Sequence, residues 1–143
     1  MTLVNIYLTF NGNCREAFEF YSKVFNKEFT NISTFGEMPS QEGFEIPESE
    51  KDKIMHVSLP FSSETALMGS DTGGHSGNVT IGNNFSVSVR PENKAEADRI
   101  FHALSQDGNV VMQMTDTFWN AYFGMVTDKF GINWMINFEN PHS

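Results

Sequence analysis

His56 is the side chain of this sequence best suited to acid–base chemistry. An imidazole changes charge near neutral pH, so it can donate or accept a hydrogen bond or act as a general base. It lies among the apolar residues Ile54, Met55 and Val57, in a stretch that reads as a strand. This position fits either a packed histidine bonded to the backbone or a donor or base in a pocket. The other histidines offer it no evident ligand partner: they are His75 in a glycine-rich segment, His102 on a predicted helix and His142 near the end of the sequence.

Two aromatic residues and two methionines are further candidates for the lining of a small-molecule pocket. Trp119 and Tyr122 carry rings that stack on a planar ligand, although large aromatics beside a hairpin also serve a core or a dimer interface. Met68 and Met135 occupy equivalent positions of an internal repeat, so we expect them to face a common centre. Their flexible thioethers suit a pocket wall and simple core filling equally well.

Cys14 and Asp71 are weaker candidates for chemistry. No histidine stands beside Cys14 in the sequence to activate it, which disfavours nucleophilic catalysis. Asp71 follows Ser70 at the start of a glycine-rich segment and can accept a hydrogen bond from a ligand. Capping of a turn is the simpler interpretation of that carboxylate.

Charge and composition exclude several classes of partner. Nine basic and eighteen acidic residues give the 143-residue chain a formal net charge of −9, whereas nucleic acids and anionic membranes attract positive surfaces. The first ten residues lack the features of a signal peptide, and no apolar run is long enough to span a membrane. The single cysteine permits no internal disulfide. We therefore predict a cytoplasmic protein that contacts neither nucleic acid nor membrane.

The elements that must position these residues occur twice in the chain. Each copy is predicted to contain a strand, a helix and three more strands. The helix is indicated by apolar residues at three- and four-residue spacing, and the strands by short segments in which apolar and polar residues alternate. A repeat of this size indicates paired modules rather than a solenoid. Three pairs of segments match: 16–21 with 96–101, 55–59 with 122–126, and 66–69 with 133–136.

The repeat predicts an α+β fold built from two β-α-β-β-β modules. We expect one domain, 1–143, with modules at about 1–75 and 80–140 joined by a glycine-rich linker. Asn13 is the predicted N-cap of the first helix, and Gly108 the capping glycine after the second. The predicted strands are 5–10, 29–35, two within 54–70, 84–90, 110–114, 122–126 and 132–138, and the second helix is 94–106.

Two loops have distinctive compositions. Residues 36–53 are acidic and contain proline and glycine, which fits a plain surface loop or a lid that inserts Phe44 and Ile46. Residues 71–82 contain four glycines but no following Lys-Ser or Lys-Thr and no helix directly after them. That segment is a linker rather than a phosphate loop, and the absence of a glycine-rich strand-turn-helix argues against a nucleotide or methyl-donor site.

Several strings of this sequence resemble the PhnB-like branch of the vicinal oxygen chelate superfamily, which includes glyoxalase I, bleomycin-resistance proteins and extradiol dioxygenases. The resemblance covers nearly the whole chain and keeps the order of the motifs. It implies that the modules form a cupped mixed sheet and that the protein is a homodimer, in which relatives sometimes exchange modules. The matching strings are 7–14 running into 16–21, His56, 67–71, 96–98, 117–119 and 128–135.

The resemblance also implies where a metal would bind. Enzymes of the superfamily hold a divalent ion with histidine and glutamate side chains from strands of both modules. The matching positions here are Ile6, Met68, Asn84 and Met135, none of which is histidine or glutamate. A hard or borderline divalent ion prefers imidazole and carboxylate to these groups. We therefore predict that the standard metal site is absent and that no cofactor is bound.

Two functions remain open on this basis. The first is a metal-free small-molecule-binding protein whose pocket is lined by His56, Met68, Trp119, Tyr122 and Met135. The second is a metal-dependent lyase, isomerase or dioxygenase with a non-standard site. A third interpretation is a cup filled by its own side chains. The residues do not decide whether the protein is an enzyme.

Overall fold

The chain forms two compact units, Met1–Thr80 and Ile81–Ser143, that share one order of elements. The computed structural model describes residues 2–37, 46–72 and 77–140. The fold class is the predicted one, because the described part of each unit contains one α-helix and a four-stranded mixed sheet. The first unit contains β1 Ile6–Phe10, α1 Cys14–Phe25, β2 Asn31–Thr34, β3 Ile54–Pro60 and β4 Ala66–Asp71. The second unit contains β5 Val87–Val89, α2 Lys94–Leu104, β6 Asn109–Asp116, β7 Ala121–Thr127 and β8 Asn133–Glu139.

The two sheets have the same topology. The strand order is β1-β4-β3-β2 in the first sheet and β5-β8-β7-β6 in the second. In each unit the first strand pairs in parallel with the last, and the remaining neighbours are antiparallel. The strand before the helix therefore lies beside the strand that ends the unit.

Helix α1 packs on one face of the first sheet through its apolar stripe. Ala17, Phe18 and Tyr21 are fully buried, as the three- and four-residue spacing predicts. Asn13 occupies the predicted N-cap position but makes no side-chain capping bond. Asn26 ends the helix with φ of 54°, a left-handed conformation that asparagine tolerates.

Helix α2 covers one face of the second sheet in the same way. The side chain of Asn93 caps its N-terminus by accepting a hydrogen bond of 2.8 Å from the backbone N–H of Glu96. The prediction that Gly108 is the capping glycine of this helix is wrong, because the helix ends at Leu104 with Ser105 as its C-cap, and the positive φ of 56° belongs to Asp107. Glycine is needed at position 108 for space, since a Cβ there would lie 2.5 Å from the Thr127 carbonyl oxygen.

Strand β5 is shorter than the predicted 84–90. The Asn133 side chain donates hydrogen bonds to the carbonyl oxygens of Gly82 and Phe85, at 3.0 and 3.2 Å. These bonds use backbone acceptors just before the strand, so the parallel ladder begins only at Val87.

Parts of the two predicted loops lie outside the described residues. These parts include Phe44 and His75, whereas Ile46 is described and half-buried. No helix within 2–37, 46–72 and 77–140 is both long and apolar enough to cross a membrane.

Gly69 provides a test of how α1 meets the first sheet. A Cβ at this position would lie 2.6 Å from Phe18 Cε1 and 2.8 Å from the Leu8 carbonyl oxygen, and the backbone oxygen has little room to move. We expect Gly69→Ala to lower the free energy of unfolding by about 1–3 kcal/mol, as overpacked core substitutions do. Urea denaturation followed by circular dichroism measures this change.

The control is Gly82→Ala, where the nearest atom would be Asn84 Oδ1 at 3.8 Å. We expect that variant to stay within about 0.5 kcal/mol of the wild type. Equal stabilities of the two variants would contradict the packing described for Gly69.

Candidate functional site

Each sheet has one face covered by its helix and a second face that we call the helix-free face. In β4, Leu67, Gly69 and Asp71 are buried toward α1, while the alternate residues Met68 and Ser70 are half-buried on the other side. Strand register then fixes the neighbours of Met68. The helix-free face of the first sheet consists of Tyr7, Thr9, Asn31, Ser33, His56, Ser58, Pro60, Ala66, Met68 and Ser70.

Tyr7 and His56 form a pair on this face. The Tyr7 hydroxyl oxygen lies 3.4 Å from His56 Nδ1, the distance of a weak hydrogen bond. The two rings also stack, with centroids 5.8 Å apart and planes inclined by 30°. Tyr7 is 49% exposed, so the pair is open to solvent. Within the described residues, His56 Nε2 has no hydrogen-bond partner. The pair therefore keeps one ring nitrogen available for a ligand.

The tautomer of His56 determines which hydrogen-bond donors and acceptors the Tyr7–His56 pair presents to a ligand. If the Tyr7 hydroxyl donates to Nδ1, then Nε2 carries the proton and donates to a ligand oxygen. If Nδ1–H donates to Tyr7, then Nε2 is a lone-pair acceptor and the hydroxyl is free to donate. Either arrangement suits a ligand with a carbonyl or hydroxyl group.

Met68 lies in the row between Tyr7 and Ser58. Its thioether is the largest apolar group at the middle of the face, and its neighbours are neutral. None of the ten residues of this face is aspartate, glutamate, lysine or arginine. An apolar surface with a few convergent polar groups is the usual composition of a small-molecule site.

The helix-free face of the second sheet has a different chemistry. Met135 pairs with Ser88 of β5 and with Met125 of β7. Phe123 and Asn137 pair beside them, and the Asn137 side-chain oxygen is buried without a hydrogen-bond partner. Met135 thus lies on the helix-free face, as Met68 does in the first sheet. That the two methionines face a common centre stays a prediction.

Trp119 lies in the turn between β6 and β7. Its ring contacts Phe118 and Phe123 edge to face, with centroid distances of 4.9 and 5.7 Å. Phe118 is 97% exposed, so this aromatic cluster presents apolar rings to solvent.

Tyr122 lies on the opposite face of β7 from Met125 and Met135. Its hydroxyl donates a 2.6 Å hydrogen bond to Asp98 of α2, and the ammonium group of Lys94 is 5.2 Å from the ring centroid. The bond to Asp98 raises the pKa of the Tyr122 hydroxyl, and desolvation and nearby carboxylates act in the same direction. Tyr122 therefore lies on the helix-covered face of the second sheet, opposite to the face that carries Met135.

Asp71 and Cys14 are buried and have structural roles in the first unit. Asp71 is buried and accepts hydrogen bonds of 2.8–2.9 Å from the backbone N–H groups of Gly12, Cys14 and Ile54. Burial raises the pKa of the Cys14 thiol well above its usual value, and the Asp71 carboxylate raises it further. A thiol held in its neutral form is a poor nucleophile.

Strand register corrects two of the positions that match the metal ligands of the superfamily. Ile6 pairs with Leu67 on the helix-covered face, and it is Tyr7 that lies beside Met68. In the second sheet Asn84 precedes β5, and Ser88 lies beside Met135. Tyr7 and Met68 in the first sheet, and Ser88 and Met135 in the second, include no imidazole or carboxylate, so neither pair offers the ligands that a standard divalent site uses. Across the described residues no group of three or more His, Cys, Asp or Glu side chains is placed to hold a metal ion.

The sequence and the fold agree with a known family. The family model described as 3-demethylubiquinone-9 3-methyltransferase matches residues 3–137. The chain belongs to this family, which is the PhnB-like branch of the vicinal oxygen chelate fold.

Individual relatives cover almost the full length. Protein YjdN of Escherichia coli K12 is 31% identical over 140 residues, which are 92% of this chain and 91% of that protein. The crystal structure of protein PA1353 from Pseudomonas aeruginosa is 40% identical, with a TM-score of 0.85 over 99% of this chain and 100% of that one. A putative 3-demethylubiquinone-9 3-methyltransferase, PhnB protein, from Bacillus cereus is 25% identical, with a TM-score of 0.72 over 96% and 99% of the two chains.

Sequence reasoning did not single out Tyr7 as a site residue. The signal was present in β1, because Tyr7 and Thr9 alternate with Ile6, Leu8 and Phe10. A strand with one apolar side places its alternate residues on the face away from the helix. What the pattern lacked was the parallel register with β4 that brings Tyr7 beside Met68.

The role of Asp71 can be tested by Asp71→Asn. The amide keeps one acceptor oxygen and turns an NH₂ group toward a backbone N–H, so at least one buried donor loses its partner. We expect a loss of about 1–3 kcal/mol in the free energy of unfolding. Chemical denaturation measures it.

Asp116→Asn is the matched control, because Asp116 is exposed and its contact with Lys94 is 3.4 Å long. A surface pair of this kind contributes about 0–1 kcal/mol. If both variants unfolded at the same denaturant concentration, the framework role of Asp71 would be refuted.

Proposed function

We propose that this protein binds a small, planar and uncharged molecule on the helix-free face of its first sheet. The observation that carries the proposal is the Tyr7–His56 pair, whose stacked rings and free ring nitrogen lie on a face without ionic side chains. A ligand that lacks charge loses little hydration there and gains apolar contact.

The Tyr7–His56 pair would orient the bound molecule. The Tyr7 ring offers an exposed flank for stacking, and His56 Nε2 offers one donor or one acceptor at its edge. A hydrogen bond of this kind contributes about 0.5–1.5 kcal/mol and favours ligands with a matching oxygen.

Met68 provides the apolar contact surface of the proposed site. Met68 is paired with Tyr7 of β1 on one side and with Ser58 of β3 on the other. The flexible methionine side chain adapts its shape to different ligands. Met135 and Trp119 belong to the helix-free face and the β6–β7 turn of the second sheet, so the proposed site on the first sheet is argued without them. Tyr122 is left out of the proposed site, because Asp98 holds its hydroxyl on the other face.

A neutral planar dye, Nile red, tests this site by fluorescence titration. We expect saturable binding to the wild-type protein and a loss of about tenfold or more in affinity for Met68→Lys, because the dye would have to contact or displace a charge. Circular dichroism verifies that the variant is folded.

Ile32→Lys is the control for Met68→Lys. Ile32 lies in β2 of the same sheet, pairs with Val57 of the helix-covered face and is 41% exposed. Equal effects of the two lysines would overturn the proposed site. Stoichiometric zinc, nickel, iron or manganese in protein purified without a histidine tag would favour the metal-dependent alternative instead.

The proposal includes a homodimer in the cytoplasm. The exposed pair Phe118 and Trp119, whose Trp119 ring packs on the buried Phe123, supports the dimer, since exposed adjoining aromatics are typical of contacts between proteins. The single buried thiol of Cys14 supports a reducing compartment.

Light scattering after gel filtration tests the dimer. We expect the wild type to show twice the mass of the 16.1 kDa chain and Phe118→Asp to shift toward the monomer, because a carboxylate is costly in an apolar interface. Val4→Asp is the control, since Val4 is 81% exposed outside the cluster. A monomeric wild type would refute the dimer and leave the small-molecule site unaffected.

A further inference from the structure

Three methionines form one row across the second sheet. Met112 of β6 is paired with Met125 of β7, and Met125 is paired with Met135 of β8. Directly opposite residues of an antiparallel pair share a face and have Cβ atoms about 4.5–5.5 Å apart. Ser88 of β5 completes the row.

A break in the β6 register brings Met112 into this row. Val110 pairs with Val126, which is buried toward α2, and the next pair is Met112 with Met125. Val111 is therefore an extra residue on β6, as in a β-bulge. With regular pairing, Val111 would have stood opposite Met125.

The row lies on the helix-free face. Trp134 and Ile136 flank Met135 and are buried, and Gly124 before Met125 faces the Phe101 ring of α2. Met125 and Met135 are half-buried, while Met112 is 36% exposed. The thioethers are thus neither locked in the core nor fully surrounded by water.

We propose that Met112, Met125 and Met135 bind a soft monovalent cation of the Cu(I) type. Thioether sulfur selects Cu(I), whereas divalent ions such as zinc prefer imidazole and carboxylate. Methionine has enough reach for both outer thioethers to turn toward the central one. This site is independent of the small-molecule site on the first sheet.

The surrounding charge favours a cation. The strands of the second sheet contain no lysine or arginine, and the net charge of the chain is −9. A negative field of this kind raises the local concentration of cations. Besides the hydroxyl of Ser88 and the amide of Asn137, this face carries the carboxylate of Glu139, which pairs with Ala121 at the end of β8.

Competition with a chromogenic Cu(I) chelator tests the site. The intact protein is titrated without oxygen into the bis(bicinchoninate) complex of Cu(I), with ascorbate as reductant. We expect the wild type to withdraw one Cu(I) per chain and Met125→Leu to bind about tenfold more weakly or worse, because leucine keeps the volume and removes the ligand. X-ray absorption of the copper-loaded protein is expected to show sulfur scatterers.

Met114→Leu is the matched control, because Met114 lies in the same strand with its sulfur directed toward Gly124 beside α2. It is expected to bind Cu(I) as the wild type does. If Met125→Leu fails to fold, Met112→Leu takes its place, since Met112 is at the exposed end of the row. Failure of the wild type to withdraw Cu(I), or equal loss in the control and the row variants, would overturn the proposal.

Discussion

The Asp71 carboxylate is the interaction on which the first unit depends most. It joins the end of β4 to two segments far away in sequence, because it accepts backbone N–H groups of Gly12 and Cys14 at the entry to α1 and of Ile54 at the start of β3. These bonds fix the end of β4 beside β1, and that neighbourhood brings Met68 beside Tyr7. In the second unit, Asp128 has a related role: it accepts from two backbone N–H groups of its own turn and from the Trp134 indole.

The duplicated architecture places different chemistry on equivalent surfaces. The first sheet presents a hydroxyl, an imidazole and one thioether, whereas the second presents a row of thioethers with aromatic neighbours. Since both sheets keep the same strand order, these differences arise from the side chains and from local register shifts, of which β6 has two and β2 has one. One fold can therefore carry different surface chemistry in its two copies.

Period-2 and helical patterns were sufficient to predict both helices, most strands and the repeat. They did not predict that β1 pairs in parallel with β4, because parallel register depends on contacts far apart in sequence. For the same reason Asp71 was assigned to a local turn, although its partners lie at Gly12, Cys14 and Ile54. The side of β7 on which Tyr122 lies also required the register, since aromatic content alone does not distinguish the two faces.

The parallel contact between the first and last strands has a consequence for synthesis on the ribosome. Ile6 of β1 pairs with Leu67 of β4, so this pairing forms only after Leu67 has left the ribosome. Until nearly the whole first unit has been synthesised, β1 lacks its neighbouring strand. Chain closure over such a separation carries an entropic cost and slows folding. During that interval the nascent strand exposes an apolar segment, which makes it a natural binding site for chaperones.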